Sequence, residues 1–298
     1  MEPSQIRINL HDDISRVYWK PELTLVSPAI ALEKVDITFG NVAKGVVVPA
    51  LRGVSLTVES GTFHALLGPS GCGKTTILRL IDGLIQPDAG TVRVFDTPPK
   101  PGPDIGLVFQ SFRLIPWMSV RQNISFALQG LELNKVDKAD RVRQYIEMVG
   151  LNRFSDAYPA TLSGGMKQRV ALARALAPEP AVLLMDEPFA SLDAQTRELM
   201  QVELMRIWTL RHPAVVFVTH SVDEAIVLAD KITLMGPSPG SVIETVSVDL
   251  ERPRWTYDAR AEARYVELRK YLSDQMRKLV FNDPASEFYG RDLGLSRK

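Results

Sequence analysis

Nine consecutive residues, Gly68-Pro69-Ser70-Gly71-Cys72-Gly73-Lys74-Thr75-Thr76, satisfy the spacing G-x-x-x-x-G-K-[ST] at every fixed position. The chemistry that demands this spacing is phosphate binding. Gly68, Gly71 and Gly73 let the backbone turn tightly enough for successive N–H groups to face phosphate oxygens. Lys74 then reaches the outer phosphates as a point charge, and the Thr75 hydroxyl suits Mg²⁺, a hard cation that prefers oxygen ligands. Cys72, the only cysteine, reads as a small residue tolerated inside the loop rather than a redox switch, and it suits a reducing cytosol.

Two other segments carry matching chemistry. The apolar run Val182-Leu183-Leu184-Met185 ends in the paired carboxylates Asp186 and Glu187. Open α/β sheets bind ligands at the carboxyl ends of their strands, so Asp186 there would hold the magnesium hydration shell. Glu187 would sit beside the γ-phosphate and orient or deprotonate the attacking water. In Leu162-Ser163-Gly164-Gly165-Met166, Ser163 reads as a helix N-cap, and two glycines leave the first N–H groups of that helix bare for a second anion contact.

The elements that must hold these residues follow from periodicity. Residues 62–67 read as a strand running into the glycine loop, and 77–81 as the apolar start of a helix leaving it, whose dipole favours an anion. Upstream, alternation over 31–38 and 54–58 predicts an antiparallel strand pair joined by a loop over 40–49. Downstream come a turn at 87–90, strands at 91–95 and 104–109, and helical periodicity over 120–177, with Asp137 as an N-cap and Val142, Ile146 and Val149 on one face. Strand patterning returns at 181–185, 214–219, 231–235 and 241–248, with a helix over 193–209. This order predicts an α/β core with a helical insertion.

Bulk composition excludes other classes. Among 298 residues, Lys+Arg 35 balance Asp+Glu 35, so no global basic field recruits nucleic acid, and 4 His with 1 Cys allow neither a disulfide framework nor a Cys/His zinc site. No apolar run approaches the roughly 18 residues needed to cross a bilayer. Residues 1–30 carry Glu2, Asp12, Asp13 and Glu22 and resemble neither a secretory signal nor a transit peptide.

Taken together, these segments resemble the ATP-binding cassette family, whose signature LSGGQ stands here as Leu162-Ser163-Gly164-Gly165-Met166. Further motifs fall in order: Gln110 matches the Q-loop, Ser191-Leu192-Asp193 the D-loop and His220 the switch histidine, while Phe39 matches the aromatic that stacks on adenine. Leu114-Ile115-Pro116-Trp117-Met118, Pro188-Phe189-Ala190 and Gly236-Pro237-Ser238-Pro239-Gly240 are similar to the nitrate, sulfonate and taurine importer branch. The resemblance implies a P-loop NTPase core with an antiparallel β subdomain and an inserted helical subdomain at about 111–177, within an ATPase domain over 31–250. Residues 1–30 and 251–298 are then an N-terminal extension and a helical C-terminal one.

As function, the resemblance implies ATP and Mg²⁺ as ligands. Residues 68–76, Phe39, Ser163, Gly164, Gly165 and Asp193 would contact ATP; Thr75, Gln110 and Asp186 the metal; Glu187, His220 and Gln110 would serve hydrolysis. It also implies pairing with a second ATPase subunit, as in a homodimer, so that the P-loop of one chain and the Ser163–Gly165 segment of the other enclose each ATP. The pair would sit beneath membrane permease subunits on the cytoplasmic face and energise uptake of a small solute delivered by a periplasmic or surface binding protein. The alternative is a cassette ATPase working on nucleic acid or ribosomes, which the single P-loop and absent basic excess disfavour.

Two apolar features complete the expectations. The cluster from Leu114 to Met118 either receives a permease helix or packs inside the helical insertion, with Trp117 expected to be partly exposed. In the tail, Ala261, Tyr265, Leu268, Leu272, Met276 and Leu279 recur every three or four residues, a helical stripe that packs either on its own cassette or on the partner's.

Overall fold

The computed structural model describes residues 28–41, 46–284 and 286–290, so most of the N-terminal extension lies outside the described residues. Two sheets organise the rest. Strands β1 (Ile30–Asn41), β2 (Val46–Val58) and β4 (Ala89–Val94) form an antiparallel sheet in the order β2-β1-β4. Strands β3 (Phe63–Leu67), β5 (Ile105–Val108), β6 (Val182–Asp186), β7 (Ala214–Thr219), β8 (Lys231–Met235) and β9 (Val242–Ser247) form the second, in the order β5-β6-β7-β3-β8-β9. All its pairs are parallel except β8 with β9.

The parallel strands read as unbroken apolar runs because both faces of their sheet are covered. Phe63, Ala65 and Leu67 of β3, Leu183 and Met185 of β6, and Val215 and Phe217 of β7 face one core. That core is completed by helices α2 (Val120–Ala127), α3 (Lys135–Met148), α4 (Gly164–Leu176), α5 (Ala194–Arg211), α6 (Val222–Leu228) and α7 (Ala263–Phe281). The alternate residues Leu66, Val182, Leu184, Val216 and Val218 face the other way, against α1 (Lys74–Ile81) and the antiparallel sheet. Because β7 lies between β3 and β6, the carboxyl ends of all three strands stand side by side.

Several expectations need correction. The loop at 40–49 is largely strand: β1 and β2 continue pairing through Thr38 with Pro49 to Asn41 with Val46. Ala89 and Gly90 belong to β4 rather than to a turn. The cap of α3 is Asn134, whose side chain accepts from the N–H groups of Val136 and Asp137, so Asp137 lies in the first turn. Helix α6, seven residues long, follows His220 where no helix is predicted.

The apolar stripe of the tail is buried on its own cassette from Tyr265 onward, whereas Ala261 is exposed in a short 3-10 turn that precedes the helix and so lies off the stripe. Tyr265, Leu268 and Leu272 lie in the main core, with Met276 and Leu279 packed against it. Ahead of α7, the buried Arg254 donates through Nη1 to the carbonyls of Ile226, Val227 and Ala229, and Arg252 Nη2 donates to that of Leu228. These guanidiniums satisfy the last carbonyls of α6, which a helix cannot satisfy by itself. Among the described residues, no helix is long and apolar enough to cross a membrane.

Candidate active site

The loop from Gly68 to Gly73 joins β3 to α1 and passes through left-handed backbone at Gly71 (φ 79°) and Gly73 (φ 89°). A Cβ on Gly73 would stand 2.4 Å from Leu51 Cδ2, so both conformation and clearance require glycine there. Lys74 Nζ donates to the Gly68 and Pro69 carbonyls at 2.7 and 2.8 Å. Cys72 is buried with Sγ 3.5 Å from that ammonium, and burial pushes its thiol up. The cleft over this loop, about 380 Å³, is lined by residues 70–76 with Phe39, Ala50, Gln110, Asp186, Glu187 and Ser238.

At one end of the cleft the two carboxylates have separate partners. Thr75 Oγ1 donates to Asp186 Oδ2 at 2.8 Å; burial pushes the Asp186 carboxyl up, and the Thr75 hydrogen bond opposes that rise. Glu187 adopts φ 48°, a left-handed conformation that costs a non-glycine residue about 1–3 kcal/mol. Its N–H donates to the Val218 carbonyl at 3.0 Å, which fixes the turn against β7. Its Oε1 lies 3.2 Å from His220 Nδ1, and its Oε2 accepts from Gln110 Nε2 at 3.4 Å. The hydroxyl of Thr75, the carboxylate of Asp186 and the amide of Gln110 are hard oxygen donors, a set that fits Mg²⁺.

The remaining predicted residues lie elsewhere. Gly68 and Pro69 support Lys74 from behind the cleft wall, and His220 reaches the site only through Glu187. Ser163, Gly164, Gly165 and Asp193 do not line this chain's cleft. Ser163 caps α4, its Oγ accepting from Met166 N at 3.3 Å, and Ser163 and Gly164 are exposed. Asp193 caps α5 by accepting from Thr196 N at 2.9 Å. Leu192 packs on the helix start so closely that a Cβ on Gly165 would stand 3.3 Å from its Cδ2. Arg174 of α4 donates to the carbonyls of Arg113 and Phe112, which ties that helix to the segment following Gln110.

Sequence reasoning missed Ala50, Ser238 and Gly240. A Cβ on Gly240 would stand 2.0 Å from the Cys72 carbonyl oxygen, while Gly240 N donates to the Ala50 carbonyl at 2.8 Å. The glycine and proline cluster at 236–240 was the available signal for a tight approach.

Beyond the cleft, the buried Asn123 shapes the loop at 115–119: its Oδ1 accepts from Ile115 N, and its Nδ2 donates to the carbonyls of Ile115, Met118 and Ser119. Trp117 in that loop is 75% exposed, while Leu114 packs on the core.

A P-loop between β3 and α1, a carboxylate pair ending β6 and a capped diglycine helix define an ATP-binding cassette. The chain belongs to the ABC transporter family, whose profile matches residues 51–190. It is 48% identical over 229 residues to the uncharacterized ABC transporter ATP-binding protein MJ0412 of Methanocaldococcus jannaschii, covering 76% of this chain and 83% of that one. Over 252 residues it is 41% identical to the nitrate import ATP-binding protein NrtD of Synechocystis sp., covering 83% and 95% of the two chains. A solved structure of the ATP-binding cassette MJ0796, dimeric in a post-hydrolysis state bound to ADP and Pi, superposes with a TM-score of 0.68 at 30% identity, covering 74% of this chain and 100% of that one. The chain is thus an ATP-hydrolysing subunit of an ABC transporter, resembling the nitrate importer branch.

Proposed function

We propose that this subunit energises import of a small solute of the nitrate, sulfonate or taurine kind, as one of two identical ATPase subunits beneath partner permease chains on the cytoplasmic face. A periplasmic or surface binding protein would deliver the solute. The observation that carries this reading is the division of the phosphate-binding groups: the cleft holds Lys74, Thr75 and Glu187, while the exposed helix start at Ser163–Gly165 lies outside it. A second chain brings such a helix start to the open side of the cleft, and the dimeric state of the MJ0796 cassette supports that pairing. The NrtD likeness supports a solute of this kind as cargo.

Within the pair, Lys74 and the loop N–H groups hold the phosphates, and Phe39 at the cleft rim stacks on the adenine. Thr75 and Asp186, with Gln110, would hold Mg²⁺, which supplies positive charge to the phosphates being separated. Glu187 orients the attacking water and accepts its proton, and His220 keeps that carboxylate in place from the far side. The ATPase domain then spans 31–250, with 111–177 as the helical subdomain that meets the permease.

The test is isolation of the chain from gently solubilised native membranes, identification of its companions, and reconstitution in proteoliposomes with nitrate, taurine or bicarbonate trapped after ATP addition. Recovery with a permease and ATP-dependent uptake of one of these solutes is expected. Recovery with ribosomes or nucleic acid and no permease would overturn the reading.

A further inference from the structure

Two side chains that lie outside the nucleotide cleft join the Ser191-Leu192-Asp193 turn to His220. Arg197 stands in the first turn of α5, where its Nη2 donates to the Leu192 carbonyl at 2.9 Å and its backbone N–H to the Asp193 carbonyl at 2.9 Å. Its Nε faces Glu224 Oε1 of α6 at 3.8 Å. Glu224 Oε2 in turn accepts from Thr219 Oγ1 at 2.7 Å. That same hydroxyl oxygen accepts from Ser221 N at 3.0 Å, and Ser221 Oγ accepts from Glu224 N at 3.2 Å.

The residues on both sides of His220 are therefore held, directly or through one hydroxyl, by a single carboxylate. His220 itself has a side chain 64% exposed, so packing does little to fix its ring. Its position follows from the backbone at Thr219 and Ser221. The Glu224 side chain is only 12% exposed; burial pushes its carboxyl up, opposed by the Thr219 hydroxyl and the Arg197 guanidinium. A buried carboxylate with one ionic partner and one hydroxyl partner is costly to disturb, which makes it a firm anchor.

We propose that Arg197 and Glu224 are positioning residues for ATP hydrolysis, setting the approach of His220 to Glu187 and making it responsive to the turn at Ser191–Asp193. This rests on the roles given above to Glu187 and His220. A displacement of Leu192 would pull on Arg197, release or tighten Glu224, and shift Thr219 with the histidine after it. No contact between Arg197 or Glu224 and nucleotide is required.

The experiment uses the full chain and measures ATP turnover for Arg197→Met and Glu224→Gln, each alone and combined with His220→Ala. Alone, Arg197→Met is expected to lower kcat on the order of 10-fold with KM for ATP changed less than about 2-fold. Combined with His220→Ala, it should lower the residual rate less than about 2-fold, because its effect passes through the missing imidazole. Glu224→Gln keeps an acceptor for Thr219 and should lose less than Glu224→Ala. The Cε1–H resonance of His220, assigned by its disappearance in His220→Ala, should shift in Arg197→Met. Equal losses with and without the imidazole, or an unmoved resonance, would overturn the proposal. A His220→Ala chain with the wild-type rate would instead overturn the role given to His220 itself. Should Arg197→Met not fold, the Glu224→Gln cycle and resonance decide by the same criteria.

Discussion

His220 Nδ1 stands 3.2 Å from Glu187 Oε1, and this contact crosses from the end of β7 to the end of β6. The carboxylate thus has partners of its own, distinct from those of the phosphate-gripping Lys74, which is anchored on the Gly68 and Pro69 carbonyls. Binding and hydrolysis therefore fail separately. Lys74→Ala should weaken ATP binding, measured by titration calorimetry. Glu187→Gln, which keeps its hydrogen-bonding shape, should bind ATP, remain dimeric and lose turnover by ~10²–10⁴-fold, about 3–5 kcal/mol of barrier. Equal loss of affinity in both variants would count against these roles.

Composite sites can be tested by mixing. When a Lys74→Ala chain is combined with a Gly165→Asp chain, one composite site carries both defects and the other keeps an intact loop and an intact helix start. At equal mixing about half of the dimers are mixed and each keeps one working site, so turnover should return to as much as about a quarter of wild type if the two sites act independently. A side chain at position 165 has little room, since a Cβ there already meets Leu192 at 3.3 Å, so the aspartate both crowds the turn and places a negative charge at the helix start. A Gly165→Asp monomer turning over ATP at the wild-type rate would defeat the shared site.

Trp117, in the loop shaped by Asn123, is the most exposed indole among the described residues and the proposed contact for the permease. Trp117→Glu should spare the ATPase of the free subunit and abolish ATP-driven uptake in proteoliposomes, because an interface core tolerates an unpaired charge poorly. Unchanged uptake would remove Trp117 from the docking surface.

Asp82, at the C-terminal end of α1, gives a pH signature. It is 7% exposed, and burial pushes its carboxyl up to about 6 from 3.8. A carboxyl with a raised folded-state pKa binds its proton more tightly when folded. It therefore penalises folding above pH 6, and the penalty fades as pH falls from about 6 towards 3.8. Asp82→Asn should thus be more stable by about 3 kcal/mol at pH 8, with the difference shrinking towards pH 4. Urea denaturation at several pH values measures it; a pH-independent difference would refute the assignment.

What could be read from sequence was what is local. The phosphate loop is contiguous, and strands covered on both faces betray themselves as apolar runs, as at Val182–Asp186 and Ala214–Thr219. The extension of β1 and β2 across 40–49 was hidden because Gly40 and Pro49 mimic a loop, and only pairing with each other's strand makes them extended. The cap at Asn134 lost to Asp137 because both side chains suit that task, and the choice depends on where the helix is allowed to begin. Helix α6 is too short for periodicity to reveal and owes its carbonyl partners to Arg252 and Arg254, more than twenty residues away. The left-handed backbone of Glu187 carries no sequence signature, since nothing in the residue type favours it.

The near-contact of Gly240 with Cys72 gives the phosphate loop a floor supplied by a distant part of the chain. Mutational drift at position 240 is therefore closed to every residue with a side chain, although that position is no part of any phosphate-binding motif. An alanine there must either lift the loop or part Gly240 from the Ala50 carbonyl that holds it. Such a variant would keep each motif residue intact and still lose its grip on ATP, a defect that inspection of the motifs alone would pass over.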